Sequence, residues 1–221
     1  MNMRALELYY TPSSAPCRAV MLTGRALKLN FNLKFLDLKK KEQMNPEFLK
    51  INFQHNVPTL NDRGFVMNES RAIMCYLADK FRKDDFLYPE KPQERAIVNQ
   101  RLYFDLGTLY RRFSELYYPV IFGNEKSFDK EKKIKLDEAL TFLNKYLEGT
   151  NPWVAGANMT IADLSIIATV STIEALGYDL KPYPDVSKWL IMAKKAIPGY
   201  YEINQPGVDA FKDRAKHIPK L

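Results

Sequence analysis

Arg4-Ala5-Leu6-Glu7-Leu8-Tyr9-Tyr10-Thr11-Pro12-Ser13-Ser14-Ala15-Pro16-Cys17-Arg18 is the stretch whose reading decides the fold. Ala5, Glu7 and Tyr9 alternate with Leu6, Leu8 and Tyr10, the period of two that a strand presents. Thr11 to Pro16 then turns the chain and starts a helix. Ser13 or Ser14 can cap it, and Pro16 suits a first turn, where its missing N–H would be unpaired anyway. Cys17, Val20, Met21, Gly24 and Leu27 follow at helical spacing on one face. Asn32 to Leu38 alternates again, so the helix joins two strands that should lie parallel.

Outward from this unit, Asn45-Pro46-Glu47-Phe48-Leu49 reads as a short helical turn. Val57 to Leu60 and Gly64 to Met67 flank Asn61-Asp62-Arg63 and predict a hairpin. From Ser70, the residues Ile73, Met74, Leu77 and Phe81 predict an amphipathic helix. The order β-α-β-α-β-β-α makes residues 1–83 a complete small α/β domain. Residues 84–93, with Pro89 and Pro92 and no periodicity, read as a linker.

Residues 94–221 read as all-helical. Val98, Leu102, Leu106, Leu109, Phe113 and Leu116 predict one long helix; Leu136 to Leu147 and Val186 to Ile197 predict two more. Leu164 to Ala175 is apolar on nearly every side, interrupted by Ser165, Thr169, Ser171, Thr172 and Glu174, and belongs at the centre of a bundle. Thr160-Ile161-Ala162-Asp163 opens it as a capping box with Asp in place of Glu.

Composition narrows the function classes. The 221 residues are 46% hydrophobic and 13% aromatic, enough for a packed core and too apolar for a disordered chain. The apolar runs fall short of the roughly 18 residues of a membrane span, and Arg4 interrupts any signal-peptide segment. Two cysteines, Cys17 and Cys75, make no disulfide scaffold, so a reducing cytosol is the expected location; both fit core positions. His55 and His217 are too far apart in sequence for a zinc signature, and no metal is expected. G-x-G-x-x-G, a Walker motif and G-x-S-x-G are absent, and Cys17 has no C-x-x-C partner. The sequons at Asn68 and Asn158 read as accidental without a secretion signal.

Thirty-three basic against 26 acidic residues give a net charge of +7. The basic residues are scattered, and Lys39-Lys40-Lys41 sits beside Asp37 and Glu42, so the charge reads as a solvated face, not a nucleic-acid surface. Small anionic substrates would still be attracted.

Several segments resemble one family. Tyr9 to Arg18 is similar to the first strand–helix junction of insect delta-class glutathione transferases, Gln54 to Leu60 and Asn68 to Ile73 to their two glutathione-binding segments, and Leu102 to Tyr110 and Thr160 to Asp163 to motifs of their helical domain. The resemblance covers essentially the whole chain in order. It implies a thioredoxin-like N-terminal domain, a helical domain supplying an electrophile pocket, and a cytosolic homodimer. No metal or cofactor is implied; reduced glutathione is a co-substrate whose thiolate adds to hydrophobic electrophiles, and some relatives reduce hydroperoxides.

The chemistry fits the residues. A free thiol of pKa ~8.5 is only a few per cent thiolate at neutral pH. Lowering it by two units requires ~2.7 kcal/mol. A charge-assisted hydrogen bond contributes ~1.5–3 kcal/mol and a helix N-terminus ~0.3–1 kcal/mol. The resemblance implies that Ser14 donates that bond, and it departs from the family at Ser13, where Gly is usual. It implies that Glu69 pairs with the γ-glutamyl ammonium, that Ser70 and Arg71 meet its carboxylate, and that Val57 pairs its backbone with the cysteinyl unit before a cis Pro58. His55, with Gln54 nearby, would contact the glycyl carboxylate; Gln43 stands where a second His is frequent, so glutathione should bind somewhat more weakly. Asp105 would orient Arg71. Tyr110, Phe113, Tyr117, Tyr118, Phe122 and Phe211 are the electrophile-pocket candidates, Tyr in particular combining an apolar face with a polar tip. A non-catalytic carrier of hydrophobic ligands, and an interaction module like the transferase-like domains of translation factors, are the alternatives.

Overall fold

Leu6 and Leu8 enter the core from β1 (Leu6–Tyr10), the strand at the start of the decisive stretch. The computed structural model describes residues 6–219; Arg4 and Ala5, the expected first residues of this strand, lie outside the described residues. α1 (Ala15–Ala26) follows, capped by Ser14, which settles the choice left open with Ser13. β2 (Phe31–Phe35) pairs parallel to β1, with Leu8 beside Leu33, as the intervening helix requires. It ends before the expected Leu38 because a polar turn takes over: Asp37 receives the Lys39 N–H at 2.9 Å, and its own N–H donates to the Glu42 carboxylate at 2.7 Å.

After the short helix α2 (Pro46–Ile51), β3 (Thr59–Asp62) runs antiparallel to β1 with Thr59 beside Tyr9. β4 (Phe65–Met67) pairs antiparallel to β3, completing a four-stranded sheet in the order β2-β1-β3-β4. The hairpin loop is shorter than the sequence suggested. Asn61 and Asp62 belong to the ladder, and the turn is Arg63-Gly64, with φ of 57° and 96°, the left-handed pair that suits a tight hairpin. α3 (Ser70–Phe81) closes the α/β layer, and α1 and α3 pack together.

α4 (Pro92–Phe104) begins two residues inside the expected linker, because Pro92 is tolerated at a helix start. The predicted long helix is interrupted. A π-helical turn over Asp105–Leu109 joins α4 to α5 (Tyr110–Ile121). The wider turn shifts the helical phase, so Leu106, assigned to the apolar face, is 40% exposed while Asp105 is fully buried. α6 (Lys130–Leu147), α7 (Ile161–Ala175) and α8 (Pro184–Ala196) match the predicted helices. A second π turn, Tyr200–Asn204, leads into α9 (Gln205–Arg214), an element the periodicity did not separate.

Every residue of α7 from Ile161 to Ile173 is buried, and α1 packs directly on it. The capping box is formed as expected, with Asp163 accepting the Thr160 N–H at 2.9 Å. Asp163 also receives the Val154 N–H at 2.9 Å and the Trp189 indole at 3.3 Å, tying α7 to α8 and to the preceding loop. Side chains of both domains form one continuous hydrophobic cluster. Among the described residues, no helix is long and apolar enough to cross a membrane.

Candidate active site

Strand direction brings the candidate residues to one edge of the sheet. β1 and β4 both end there and β3 starts there, so the α1 and α3 N-termini and the Val57–Pro58 segment converge. Ser14 is held in extended backbone at the entry to α1, with its N–H donating to Thr11 O at 3.2 Å and its carbonyl receiving the Arg18 N–H at 3.1 Å. Its Oγ accepts the Cys17 N–H at 3.3 Å. That bond uses a lone pair and keeps the hydroxyl a donor; the Cys17 sulfur lies within its reach, and an external anion is the stronger acceptor. Cys17 is fully buried, and burial pushes its thiol up to about 11, which keeps it out of thiolate chemistry.

The loop before β3 is organised by amides. Asn52 Nδ2 reaches Asn56 Oδ1 at 2.8 Å and Thr59 Oγ1 at 2.9 Å, and Asn52 Oδ1 receives the Gln54 N–H at 3.0 Å. Asn68, just before α3, donates to Gln54 Oε1 at 2.9 Å and so ties this loop to the next. Gln54 and His55 are exposed, His55 has a φ of 44°, and the Val57–Pro58 bond is cis. Gln43 lies half-buried with its Oε1 unpartnered.

Glu69 sits at the N-cap of α3 with φ 66° and ψ 99°, a conformation that costs a non-glycine residue ~1–3 kcal/mol. Its side chain is exposed. Ser70 is buried and its Oγ receives Arg71 Nη1 at 2.9 Å. The Arg71 Nη2 donates to Asp105 Oδ2 at 2.6 Å, and Asp105 also receives the Ser165 hydroxyl and, at 2.9 Å, that of Thr169. Arg71 and Asp105 therefore meet across the domain boundary, anchored on α7.

Of the aromatic candidates, Tyr110, Phe113, Tyr118, Phe122 and Phe211 form one group. The Tyr110 and Tyr118 hydroxyls are 2.7 Å apart, and the Tyr118 ring lies 5.2 Å from Phe122 and 6.4 Å from Phe211. Phe122 is 51% exposed and forms the open side. Arg71 stands 5.4 Å from the Tyr110 ring, joining this group to the α3 N-terminus. Burial raises both phenols, so they stay protonated at neutral pH. Tyr117 joins this group through Phe113, 5.3 Å away; like Phe113 it is fully buried, and its other face meets Phe128 at 5.1 Å, with its hydroxyl unpartnered. Among the described residues no His, Cys, Asp and Glu side chains cluster in a way that would hold a metal ion.

Arg18 is the charged residue that sequence reading passed over. It lies in the first turn of α1, fully buried, and reaches Asn204 and Thr172. Its place in the sequence among the apolar Cys17, Ala19 and Val20 was the available signal, and in the fold all four are buried.

A thioredoxin-like sheet with a serine at the first helix N-terminus, followed by a helical domain that reaches back to the second site helix, defines the glutathione transferase class. The sequence matches Glutathione S-transferase, N-terminal domain, over residues 4–79 and Glutathione S-transferase, C-terminal domain, over residues 73–192, and the chain belongs to this family of enzymes. It is similar to a delta-class glutathione transferase of Nilaparvata lugens, at 54% identity and a TM-score of 0.93 over 96% of this chain and 98% of that one. A Bombyx mori glutathione transferase is 46% identical with a TM-score of 0.91, covering 97% of this chain and 99% of that one. A transferase homolog from Drosophila mojavensis, solved with bound glutathione, is 34% identical with a TM-score of 0.89 over 97% and 98%.

Proposed function

We propose that the protein conjugates reduced glutathione to hydrophobic electrophiles, with Ser14 donating a hydrogen bond to the sulfur. The observation that carries this reading is the Ser14 hydroxyl at the N-terminus of α1, which accepts the Cys17 N–H through a lone pair and so keeps its proton for donation. The thiolate attacks an electrophilic carbon, a carbon–sulfur bond forms, and the leaving group departs with its electron pair. Glu69 takes the γ-glutamyl ammonium; Ser70, Arg71 and the α3 N-terminus take its carboxylate. The Val57 backbone pairs with the cysteinyl unit as an added strand does, and His55 with Gln54 meets the glycyl carboxylate. Tyr110, Phe113, Tyr118, Phe122 and Phe211 receive the electrophile, with Tyr117 supporting them from behind.

The same reading makes the protein a cytosolic detoxification enzyme that needs no metal or cofactor, and extends to reduction of organic hydroperoxides. It also makes it a homodimer, supported by large apolar side chains left exposed on the protomer: Phe53, Phe65, Tyr103 and Leu106. A solution mass equal to a single chain contradicts that part.

Conjugation of 1-chloro-2,4-dinitrobenzene tests the central claim, together with ultraviolet titration of bound glutathione. Ser14→Ala is expected to lower kcat/KM by ten-fold or more and to return the thiol toward its free pKa of ~8.5. Equal rates in the two proteins remove Ser14 from its role. Glutathione binding without turnover of any electrophile makes the protein a carrier.

A further inference from the structure

Among the described residues, Arg18 is a cation with no anion beside it. It is fully buried, and among the described residues no carboxylate lies within ion-pair distance of it. Nη1 donates to Asn204 Oδ1 at 2.5 Å, Nη2 donates to Thr172 Oγ1 at 2.6 Å, and Nε has no partner. Both acceptors are neutral and themselves fixed. Asn204 Nδ2 donates to Ser171 Oγ at 2.9 Å, and the Thr172 hydroxyl to Ala168 O at 2.7 Å. The titratable groups facing the guanidinium are Cys17 of α1, Tyr110 and Tyr118 of α5, and Tyr200 of the second π turn. None of them is an anion at neutral pH. Burial lowers Arg18 to about 10, which leaves it charged in the physiological range.

Such a charge is costly to keep. Arg71 shows the usual solution in the same fold, a direct pairing with buried Asp105. Arg18 has only dipoles, although Asn204 is one atom type away from an aspartate. Its position is specific as well. Gly207 of α9 packs so closely that a Cβ there would lie 2.3 Å from Pro12 O and 2.4 Å from Arg18 Cδ. The guanidinium stem therefore lies against the loop that carries Ser14, and its positive field adds to that of the α1 N-terminus, where an anion is favoured.

We infer that Arg18 is held without a counter-ion so that its field stabilises the sulfur anion formed beside Ser14. The inference rests on the reading of Ser14 given above. Arg18 meets Ser14 only through its backbone N–H on the Ser14 carbonyl; its guanidinium, turned to Asn204 and Thr172, acts through the field, and those two residues fix it while leaving its charge uncompensated.

The test supplies the missing anion. Asn204→Asp keeps the shape of the side chain and places a carboxylate on Nη1. Ultraviolet titration of glutathione bound to this variant is expected to show the thiol pKa raised by about 0.5–1 unit, with the acid limb of the kcat/KM profile moving equally. Thr172→Val removes a hydrogen bond but leaves the charge; it is expected to melt at lower temperature with the thiol pKa unchanged. Thr172→Asp delivers the carboxylate from the other side and carries the same expectation as Asn204→Asp should that variant fail to fold. An unchanged thiol pKa in a folded carboxylate variant overturns the inference, as does an equal rise in Thr172→Val. A bound thiol with its solution pKa in the unmodified protein overturns the role of Ser14 itself, and Arg18's with it.

Discussion

Asp105→Ala removes the carboxylate on which three elements meet. Asp105 is fully buried and Arg71 retains 7% side-chain exposure, so water cannot replace the lost partner. The variant leaves the Arg71 guanidinium with Ser70 as its remaining hydrogen-bond acceptor and strips the Ser165 and Thr169 hydroxyls of theirs. Removing one member of a buried ion pair costs ~3–5 kcal/mol, a large share of the ~5–15 kcal/mol that holds a domain folded. For a chain of this size each kcal/mol moves the melting temperature by ~2–4 °C, so a fall of ~6–20 °C is expected by calorimetry. The double variant Asp105→Leu with Arg71→Met exchanges both charges for apolar groups of similar bulk and should recover part of that loss. A fall below ~3 °C in Asp105→Ala, or a double variant as unstable as the sum of the single ones, refutes the pairing as the source of the stability.

Two further outcomes follow from buried groups elsewhere. Burial pushes Asp163 up to about 6, against the Val154, Thr160 and Trp189 donors that pull it down. Its folded pKa thus exceeds its unfolded one, so the folded protein binds the proton more tightly, and this contribution is fullest below pH ~4 and is lost as pH rises toward 6. Urea melts across that window should show the unmodified protein losing stability relative to Asp163→Asn; a constant gap between them contradicts the assignment. Gly207→Ala drives a methyl group into Pro12 O and Arg18 Cδ. Overpacking of this kind costs ~1–3 kcal/mol, read as a lower urea midpoint, and an unchanged midpoint shows that α9 yields at no cost.

Local physics made much of this structure legible. The period-two run of β1, the capping serine and the capping box of α7 each express their conformation within a few residues, and each is found where the sequence placed it. Three features escaped because their cause is tertiary. The π turn of Asp105–Leu109 exists where a buried carboxylate is drawn toward α7, and no local pattern distinguishes it from one more helical turn. Tyr117 matched the helical spacing of the pocket candidates and does pack on Phe113, but its contact with Phe128, which helps bury it fully, has no local signal. The Asn52–Asn56–Asn68 network links residues from two loops, so its amides read separately as ordinary loop polarity.

The polar residues of α7 gather these threads. In sequence Ser165, Thr169, Ser171 and Thr172 were interruptions in an apolar helix; in the fold they are where the α/β domain attaches its two buried arginines. Ser165 and Thr169, four residues apart on one face, hold Asp105 and through it Arg71. Thr172 holds Arg18 directly, and Ser171 holds it through Asn204. A purely apolar α7 would pack at least as well, but it would leave Arg18 with Asn204 alone and strip Asp105 of the two hydroxyls that hold it against Arg71. Its hydroxyls therefore set the position of the helices that present Ser14 and Ser70. They also leave the two arginines electrically different: Arg71 is neutralised within the protein, and Arg18 retains a field that an anion outside the core can answer.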